Sequence, residues 1–227
     1  MFRFTERAAL AGVVLGLLLG TSSRVEAGLI IYHDSTSFQA ATTGLSNINF
    51  NGVIPAGQTF QGFGIPPGYT DAATGTNFTF DNPGTGNINV TASNFCAPTI
   101  FSADFLNASV GVPSSAHEII TLPGSYTAVS LLYSTFNQQS FLFSFSNGQS
   151  HSESSTPAFG TEAFLGFTST APFSSLSVSV PSDNDGLILV GLQFGTVVPE
   201  PSTLIIAGVA LLPAAWFLRR SRGRRTK

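Results

Sequence analysis

The residues of this chain that could carry chemistry are carboxylates and a few histidines. Asp183, Asn184, Asp185 and Gly186 form the densest group of oxygen ligands, and Ca²⁺ prefers hard oxygen ligands. The same residue types reverse a strand for backbone reasons alone. The twelve-residue calcium loop does not fit, because no further carboxylate follows before Glu200. The pattern therefore favours a turn, with Asp183 and Asp185 as the candidate Ca²⁺ ligands if this is a metal site.

Two glutamates are candidates for the acid and base of a glycosidase. Glycoside hydrolysis needs two carboxyl groups about 5 to 9.5 Å apart, and Glu153 and Glu162 are the pair we considered. The sequence supplies no such distance, and solvated acids also keep a chain soluble. We therefore expect a protein that is not an enzyme, and a secreted carbohydrate-active hydrolase is the alternative.

The histidines and the cysteine do not form a recognisable site. His33, His117 and His151 are isolated in the sequence, and His117 lacks the second histidine four positions later that a zinc protease helix needs. Neither a Gly-x-Ser-x-Gly elbow nor a Gly-rich phosphate loop occurs. Cys96 has no partner cysteine, and its apolar neighbours favour burial. We expect no catalytic residues and no cofactor other than Ca²⁺.

The charges are concentrated at the two ends of the chain. Of the 227 residues, 9 are Lys or Arg and 12 are Asp or Glu, which gives a net charge of −3. Residues 28–198 contain nine carboxylates and no Lys or Arg, and 43 of these residues are Ser or Thr. Binding to nucleic acid requires clustered Lys or Arg to neutralise phosphates. The composition therefore excludes a nucleic-acid partner for this stretch.

Residues 1–27 have the pattern of a secretory signal peptide. Two arginines precede the apolar run 8–20, and Val25 and Ala27 stand at the two recognition positions of the peptidase. The run is too short to span a bilayer and too unpunctuated for a buried globular helix. We expect a signal helix, export by the Sec machinery and cleavage between Ala27 and Gly28.

The last 29 residues, 199–227, have three parts. Pro199, Glu200 and Pro201 come first, and the uncharged segment 203–218 follows. A basic end, 219–227, closes the chain and contains Arg219, Arg220, Arg222, Arg224 and Arg225. An apolar segment followed by arginines predicts a transmembrane helix whose basic end stays in the cytoplasm.

This tail resembles the PEP-CTERM sorting signal of exported bacterial proteins. The resemblance is carried by the sequence Val-Pro-Glu-Pro-Ser-Thr-Leu at 198–204, by the short apolar span and by Arg219-Arg220. It implies recognition by an exosortase, a transient intermediate in the inner membrane, and transfer to the cell surface or the extracellular, exopolysaccharide-rich matrix. A plain membrane anchor is the alternative.

Residues 28–198 have the periodicity of short strands. Phe141, Phe143 and Phe145 alternate with Leu142, Ser144 and Ser146, and the run ends at Asn147-Gly148, which predicts a hairpin with a type I′ turn. Further strands are predicted at 29–33, 46–50, 59–64, 77–80, 87–92, 118–122, 129–135, 149–155, 163–168, 175–180 and 187–194. One helix is predicted over 35–42, with Ser35 as its N-cap. We expect one all-β domain, an antiparallel β-sandwich or jelly roll.

This exported stretch is also similar to the ectodomains of other PEP-CTERM proteins, over about residues 32–52 and 159–195. The similarity implies a lectin-like or galactose-binding-like jelly roll. The last strand here has Val190-Gly191 where that pattern typically has an Asp-Asn or Asp-Asp pair. Tyr69, Tyr126 and Tyr133 could stack on a sugar if they are exposed. We therefore expect a surface or matrix protein that contacts polysaccharide, and a Ca²⁺-dependent adhesin is a further alternative.

Overall fold

The chain is all-β and antiparallel, as the periodicity predicts. The computed structural model describes residues 28–63, 68–81, 88–95, 101–107, 117–135, 140–154, 156–179 and 187–198. Its strands are β1 (Leu29–Tyr32), β2 (Thr42–Asn49), β3 (Phe60–Phe63), β4 (Tyr69–Thr70), β5 (Asn77–Phe80), β6 (Ile88–Thr91), β7 (Phe105–Asn107), β8 (His117–Thr135), β9 (Phe141–Phe145), β10 (Ser150–Glu153), β11 (Ala163–Ser179) and β12 (Leu187–Val197). One helix, α1 (Ser35–Ala40), follows β1.

Two long strands, β8 and β11, each take part in two groups of strands. Their first group, here called layer A, pairs the 128–133 part of β8 with the 163–168 part of β11 and adds β1, β12, β2, β7, β6 and β3. The second group, layer B, pairs the 117–121 part of β8 with the 175–179 part of β11 and adds β5, β4, β9 and β10. Both long strands change register between these parts.

Phenylalanine side chains join the two layers in one core. Phe143 and Phe145 of β9 lie against Phe167 of β11, with ring centroids 5.3 and 5.1 Å apart. On the other side of the core, Phe50 contacts Phe78 edge-on at 5.7 Å. Aromatic pairs at these distances add to the free energy of burial. The apolar residues of the stretch 28–198 thus stabilise the fold without help from Lys or Arg ion pairs.

Most predicted strands are confirmed, but four of them are parts of two longer strands. The segments predicted at 118–122 and 129–135 both belong to β8, and those at 163–168 and 175–180 both belong to β11 as far as Ser179. Pro123 and Pro172 lie where these strands change register. A proline favours a strand end in sequence-based reasoning, but here it lies at an irregularity inside a continuous strand. Strands β4 and β7 were not predicted.

The hairpin between β9 and β10 is confirmed, but its turn is not of type I′. The N–H of Gly148 donates to the carbonyl of Phe145, and the N–H of Phe145 donates to the carbonyl of Gln149. These bonds define a three-residue loop that ends at Gly148, whose φ is +86°. The Asn147 side chain donates to the carbonyl of Ala171 at 2.8 Å. This bond to the bend of β11 favours the longer loop.

Helix α1 is shorter than predicted, and its N-cap is Asp34, not Ser35. Oδ1 of Asp34 accepts a hydrogen bond from the N–H of Ser37 at 2.8 Å. A carboxylate satisfies one of the free N–H groups of a first turn as well as a hydroxyl does. These hydrogen bonds lower the pKa of Asp34. Phe38 of this helix is fully buried.

The two end segments lie outside the described residues. This applies to the predicted signal helix with Ala27, to the motif Pro199-Glu200-Pro201, to the span 203–218 and to the arginines from Arg219 onward. Gly28 is the first described residue. Within the described ranges, no helix has the length and apolar character needed to cross a bilayer.

Candidate functional site

The two glutamates considered as a catalytic pair have different partners. Oε2 of Glu153 lies 3.4 Å from Nε2 of His151 and 3.9 Å from Nδ1 of His33. The carboxylate of Glu162 accepts hydrogen bonds from the N–H and the hydroxyl of Ser102. Glu153 is buried, whereas Glu162 is partly exposed. Each carboxylate thus has a structural partner of its own.

The three histidines are isolated in the sequence, but two of them lie close together in the structure. His33 and His151 approach the same carboxylate oxygen, and the His151 ring packs edge-on against Phe167 at 5.6 Å. His117 pairs instead with Asp81, which accepts from both its N–H and its ring. Desolvation pushes the pKa of Asp81 upward, but the hydrogen bonds from His117 outweigh it and the pKa is lowered.

The candidate Ca²⁺ ligands Asp183 and Asp185 lie outside the described residues, and so does Cys96. In the part of the chain that is described, no group of three or more His, Cys, Asp or Glu side chains is arranged to hold a metal ion.

Two of the three tyrosines considered for stacking on a sugar are in the core. Tyr69 is 6% exposed and Tyr133 is 2% exposed. Burial raises the pKa of Tyr69 to about 12 and raises that of Tyr133 as well. Tyr126 is partly buried against Phe194, with ring centroids 4.7 Å apart. The prediction that an exposed tyrosine offers a stacking face is wrong for Tyr69 and Tyr133, because both rings face the interior of the fold.

A groove of about 400 Å³ lies on the outer face of layer A. Its lining comes from β2, β8, β11 and β12, with further residues from α1 and from the segment that leads into β7. The lining residues are Ser35, Asn47, Ile48, Asn49, Ser102, Ala103, Ser130, Leu132, Phe164, Val190, Gly191, Leu192 and Gln193. All of these side chains are uncharged. The volume lies in the range of small-molecule sites.

Strand register arranges the floor of the groove in two rows. Gln193 is paired with Ser130 on one side and with Asn47 on the other, so these three polar side chains form one row. Directly paired residues of antiparallel strands point to the same face. Gly191 is paired with Leu132 and Asn49, and Leu132 is paired with Phe164. The second row therefore changes from apolar at Phe164 to polar at Asn49.

Hydrogen bonds fix the side chains of the polar row. The amide nitrogen of Gln193 donates to Oδ1 of Asn47 at 2.7 Å, and the hydroxyl of Ser130 donates to Oε1 of Gln193 at 3.3 Å. These bonds use one of the two N–H groups of Gln193. They do not use the amide nitrogen of Asn47. The row is thus a pre-oriented set of amide and hydroxyl groups.

A bulge in β12 places a glycine in the floor. The register of β12 against β8 shifts between Leu189 and Gly191, so Val190 is an extra residue. The bulge lets both Leu189 and Leu192 face the core. A Cβ at Gly191 would come no closer than 3.5 Å to a neighbour, the carbonyl oxygen of Ile48. The missing side chain therefore opens the floor, and a larger residue would extend into the groove.

Two clusters flank this floor. On one side, Phe38 of α1 packs over Gly166, where a Cβ would lie 2.6 Å from the Phe38 ring, and its ring contacts Phe164 at 5.7 Å. On the other side, Phe101 and Phe105 pack against each other at 4.6 Å. Ser102, which follows Phe101 in the chain, donates hydrogen bonds from its N–H and its hydroxyl to the carboxylate of Glu162. Both walls are therefore fixed by contacts that leave the floor open.

Glu118 is a buried acid that the sequence did not single out. Its side chain lies on the core face of β8, between Phe80 and Val178 in register, and is 4% exposed. Neither carboxyl oxygen has a hydrogen-bond partner among the described residues. Burial raises the pKa of Glu118 to about 8. The group is therefore protonated at neutral pH, because the apolar surroundings disfavour its charged form.

The groove was missed in the sequence because its residues are far apart in the chain. Asn47, Ser130 and Gln193 come from three strands, and only the register brings them together. A polar residue on the outward face of each predicted strand was the one available signal. A comparison with protein-family models, with curated proteins and with solved structures finds no match for this chain.

Proposed function

We propose that this chain is an exported bacterial protein of the cell surface or extracellular matrix that contacts carbohydrate without cleaving it. The signal peptide and the PEP-CTERM-like tail carry the proposed route, which runs through Sec export, an inner-membrane intermediate and an exosortase. The observation that carries the proposed contact is the uncharged groove on layer A, which combines a partly exposed aromatic residue with a row of amides and a hydroxyl. Sugar sites combine apolar faces with a few oriented polar groups in this way.

The fold that we propose for this role is a β-sandwich of the lectin-like or galactose-binding-like jelly-roll kind. The contacts between Phe143 of layer B and Phe167 of layer A support two stacked layers. In such a fold the outer face of one layer is free to hold a ligand. The hydrolase alternative has less support, because none of the described residues that line the groove is a carboxylate. The adhesin alternative depends on Asp183 and Asp185 and is tested by the effect of Ca²⁺ on the melting temperature.

Deletion of residues 199–227 tests the proposed route. The tail carries the apolar span and the arginines that would hold the precursor in the inner membrane. We expect the truncated chain to be found in the periplasm or the medium, and the full chain at the surface, by fractionation and immunoblotting. A matched variant, Pro199→Ala with Pro201→Ala, keeps the span and should remain in the membrane unprocessed. Unchanged surface placement of both variants would contradict the sorting signal.

Retention on polysaccharide tests the proposed contact. We expect the full-length chain, kept in mild detergent, to be retained by at least one polymer of an immobilised polysaccharide panel. We also expect no release of reducing sugar from that polymer on prolonged incubation, because the groove offers no carboxyl pair for hydrolysis. Release that is abolished by Glu153→Gln or Glu162→Gln would favour the hydrolase instead.

A further inference from the structure

We infer that the groove on layer A is selective for neutral polysaccharide over acidic polysaccharide, and that Gly191 is the position that admits the sugar ring. This inference rests on the proposed function, since it names the class of carbohydrate that the same site takes. Three features carry it: the charge around the groove, the two rows of its floor, and the gap at Gly191.

The charge of the exported stretch disfavours acidic polymers. Residues 28–198 contain nine carboxylates, three histidines and no Lys or Arg, so this stretch has no permanently charged cation to pair with a uronate or a sulfate group. The carboxylate of Glu162 lies beside the groove, where it holds Ser102 of the lining. An anionic chain would meet a field of its own sign, and like charges reduce both the rate and the strength of association. A neutral polymer meets no such barrier.

The floor matches the two chemical faces of a neutral sugar ring. A pyranose has a C–H face that packs on apolar and aromatic side chains, and a rim of hydroxyl groups that both donate and accept hydrogen bonds. Phe164 and Leu132 provide the apolar part of the floor. Asn47 and Gln193 provide amides, which also both donate and accept. The side chains are held by their own bonds, so little conformational entropy is lost when a ligand binds.

The gap at Gly191 lies where these two parts meet. Gly191 is paired with Leu132 on the apolar side and with Asn49 on the polar side. Its φ is not in the left-handed region, and a Cβ there would make only ordinary contacts, the shortest at 3.5 Å. The backbone therefore does not require glycine. The absence of a side chain instead leaves the space in which a ring can approach the strand.

The experiment compares three polymers and two leucine variants of the full-length chain in mild detergent. In every chain the Arg and Lys residues of 219–227 are replaced by Gln, because this basic end would itself bind an acidic polymer. The probes are immobilised dextran and galactomannan, which are neutral, and immobilised polygalacturonate, which is anionic. A chelator is present throughout, so that calcium cannot bridge acidic groups. Gly191→Leu fills the floor. Gly124→Leu is the matched control, because Gly124 also lies in a strand without a positive φ, has only ordinary contacts and is not part of the lining.

We expect retention on a neutral polymer that does not change with added NaCl, and weak retention on polygalacturonate at low salt. Gly191→Leu should reduce retention by about tenfold or more, whereas Gly124→Leu should stay within about twofold of the native chain. Gln193→Ala, which removes one member of the polar row, should also reduce retention. This variant tests the groove if Gly191→Leu fails to fold.

The contrary results are distinct from one another. Equal or stronger retention on polygalacturonate overturns the selectivity but leaves carbohydrate contact standing. Undiminished retention of both Gly191→Leu and Gln193→Ala overturns this groove as the binding place. No retention of the native chain on any polymer overturns the proposed contact itself.

Discussion

The Glu118→Gln variant is expected to be more stable than the native chain under mildly alkaline conditions and equally stable in acid. Glu118 is buried between Phe80 and Val178, and neither carboxyl oxygen has a hydrogen-bond partner within the described part of the chain. Its pKa in the folded chain is about 8, against an ordinary value of 4.5. Between these two values the folded state holds a proton that the unfolded state has released. The free energy of unfolding of the native chain therefore falls as the pH rises through this window.

The glutamine variant removes this dependence, because its amide does not ionise and has nearly the shape of the protonated acid. We expect a gain in the free energy of unfolding of roughly 2 to 4 kcal/mol above the folded-state pKa, and almost none below the ordinary pKa of the acid. The measurement is chemical denaturation of both chains at a series of pH values. All other ionisable groups are common to both chains, so their contributions cancel in the difference.

The matched control is Asp34→Asn, which removes an exposed carboxylate at the start of α1. The pKa of Asp34 is lowered by its hydrogen bonds, so its contribution has the opposite sign and is lost as the pH falls. This variant should keep the slope of the native chain between the two pKa values of Glu118. A Glu118→Gln chain whose stability falls through that window as steeply as that of the native chain would show that Glu118 is ionised or partnered in the folded state.

The sequence could predict the strands that have a strong period of two. Phe141, Phe143 and Phe145 alternate along β9 and all three are buried. Strand β7 has only three residues, and its formation depends on pairing with β6 and β12, which no local pattern reports. No local pattern reports the continuity of β8 through Pro123 either, since it depends on strand partners that are distant in the chain. Local preference was a sound guide where burial agreed with it, and pairing decided the rest.

The same limit applies to the candidate site. Polar residues on outward faces of strands could be predicted, but a groove exists only where register aligns them. The bulge at Val190 shifts by one residue the alternation of β12 side chains between the two faces of the sheet. Gly191 and Gln193 therefore both lie on the face that carries the groove. Nothing in the run of residues 187–194 indicates that bulge. Val190 and Gly191, which lie at this bulge, add no charge to the floor.

Gly68→Ala should be among the most destabilising single substitutions in the described part of the chain. Gly68 precedes β4 and has a φ of +77°, which alanine adopts only with strain. A Cβ at this position would lie 2.1 Å from the carbonyl oxygen of Phe78. That oxygen belongs to the backbone of β5, so no side-chain rotation relieves the overlap. Strand β4 must move away from β5, and Tyr69 would then leave the core that it shares with Phe50 and Phe78.

Gly57→Ala separates the two parts of this effect. Gly57 has a φ of +84°, but no atom lies within 4 Å of the position of its Cβ. It should therefore lose only the strain of the left-handed backbone, about 1 kcal/mol, whereas Gly68→Ala should lose about 3 kcal/mol or more in chemical denaturation. If Gly68→Ala does not fold, its soluble yield and its digestion by chymotrypsin, which cleaves after Phe and Tyr, beside those of Gly57→Ala give the same ranking. Equal losses in the two variants would contradict the packing of β4 against β5 at Phe78, because the alanine Cβ would then not overlap with the carbonyl oxygen of Phe78.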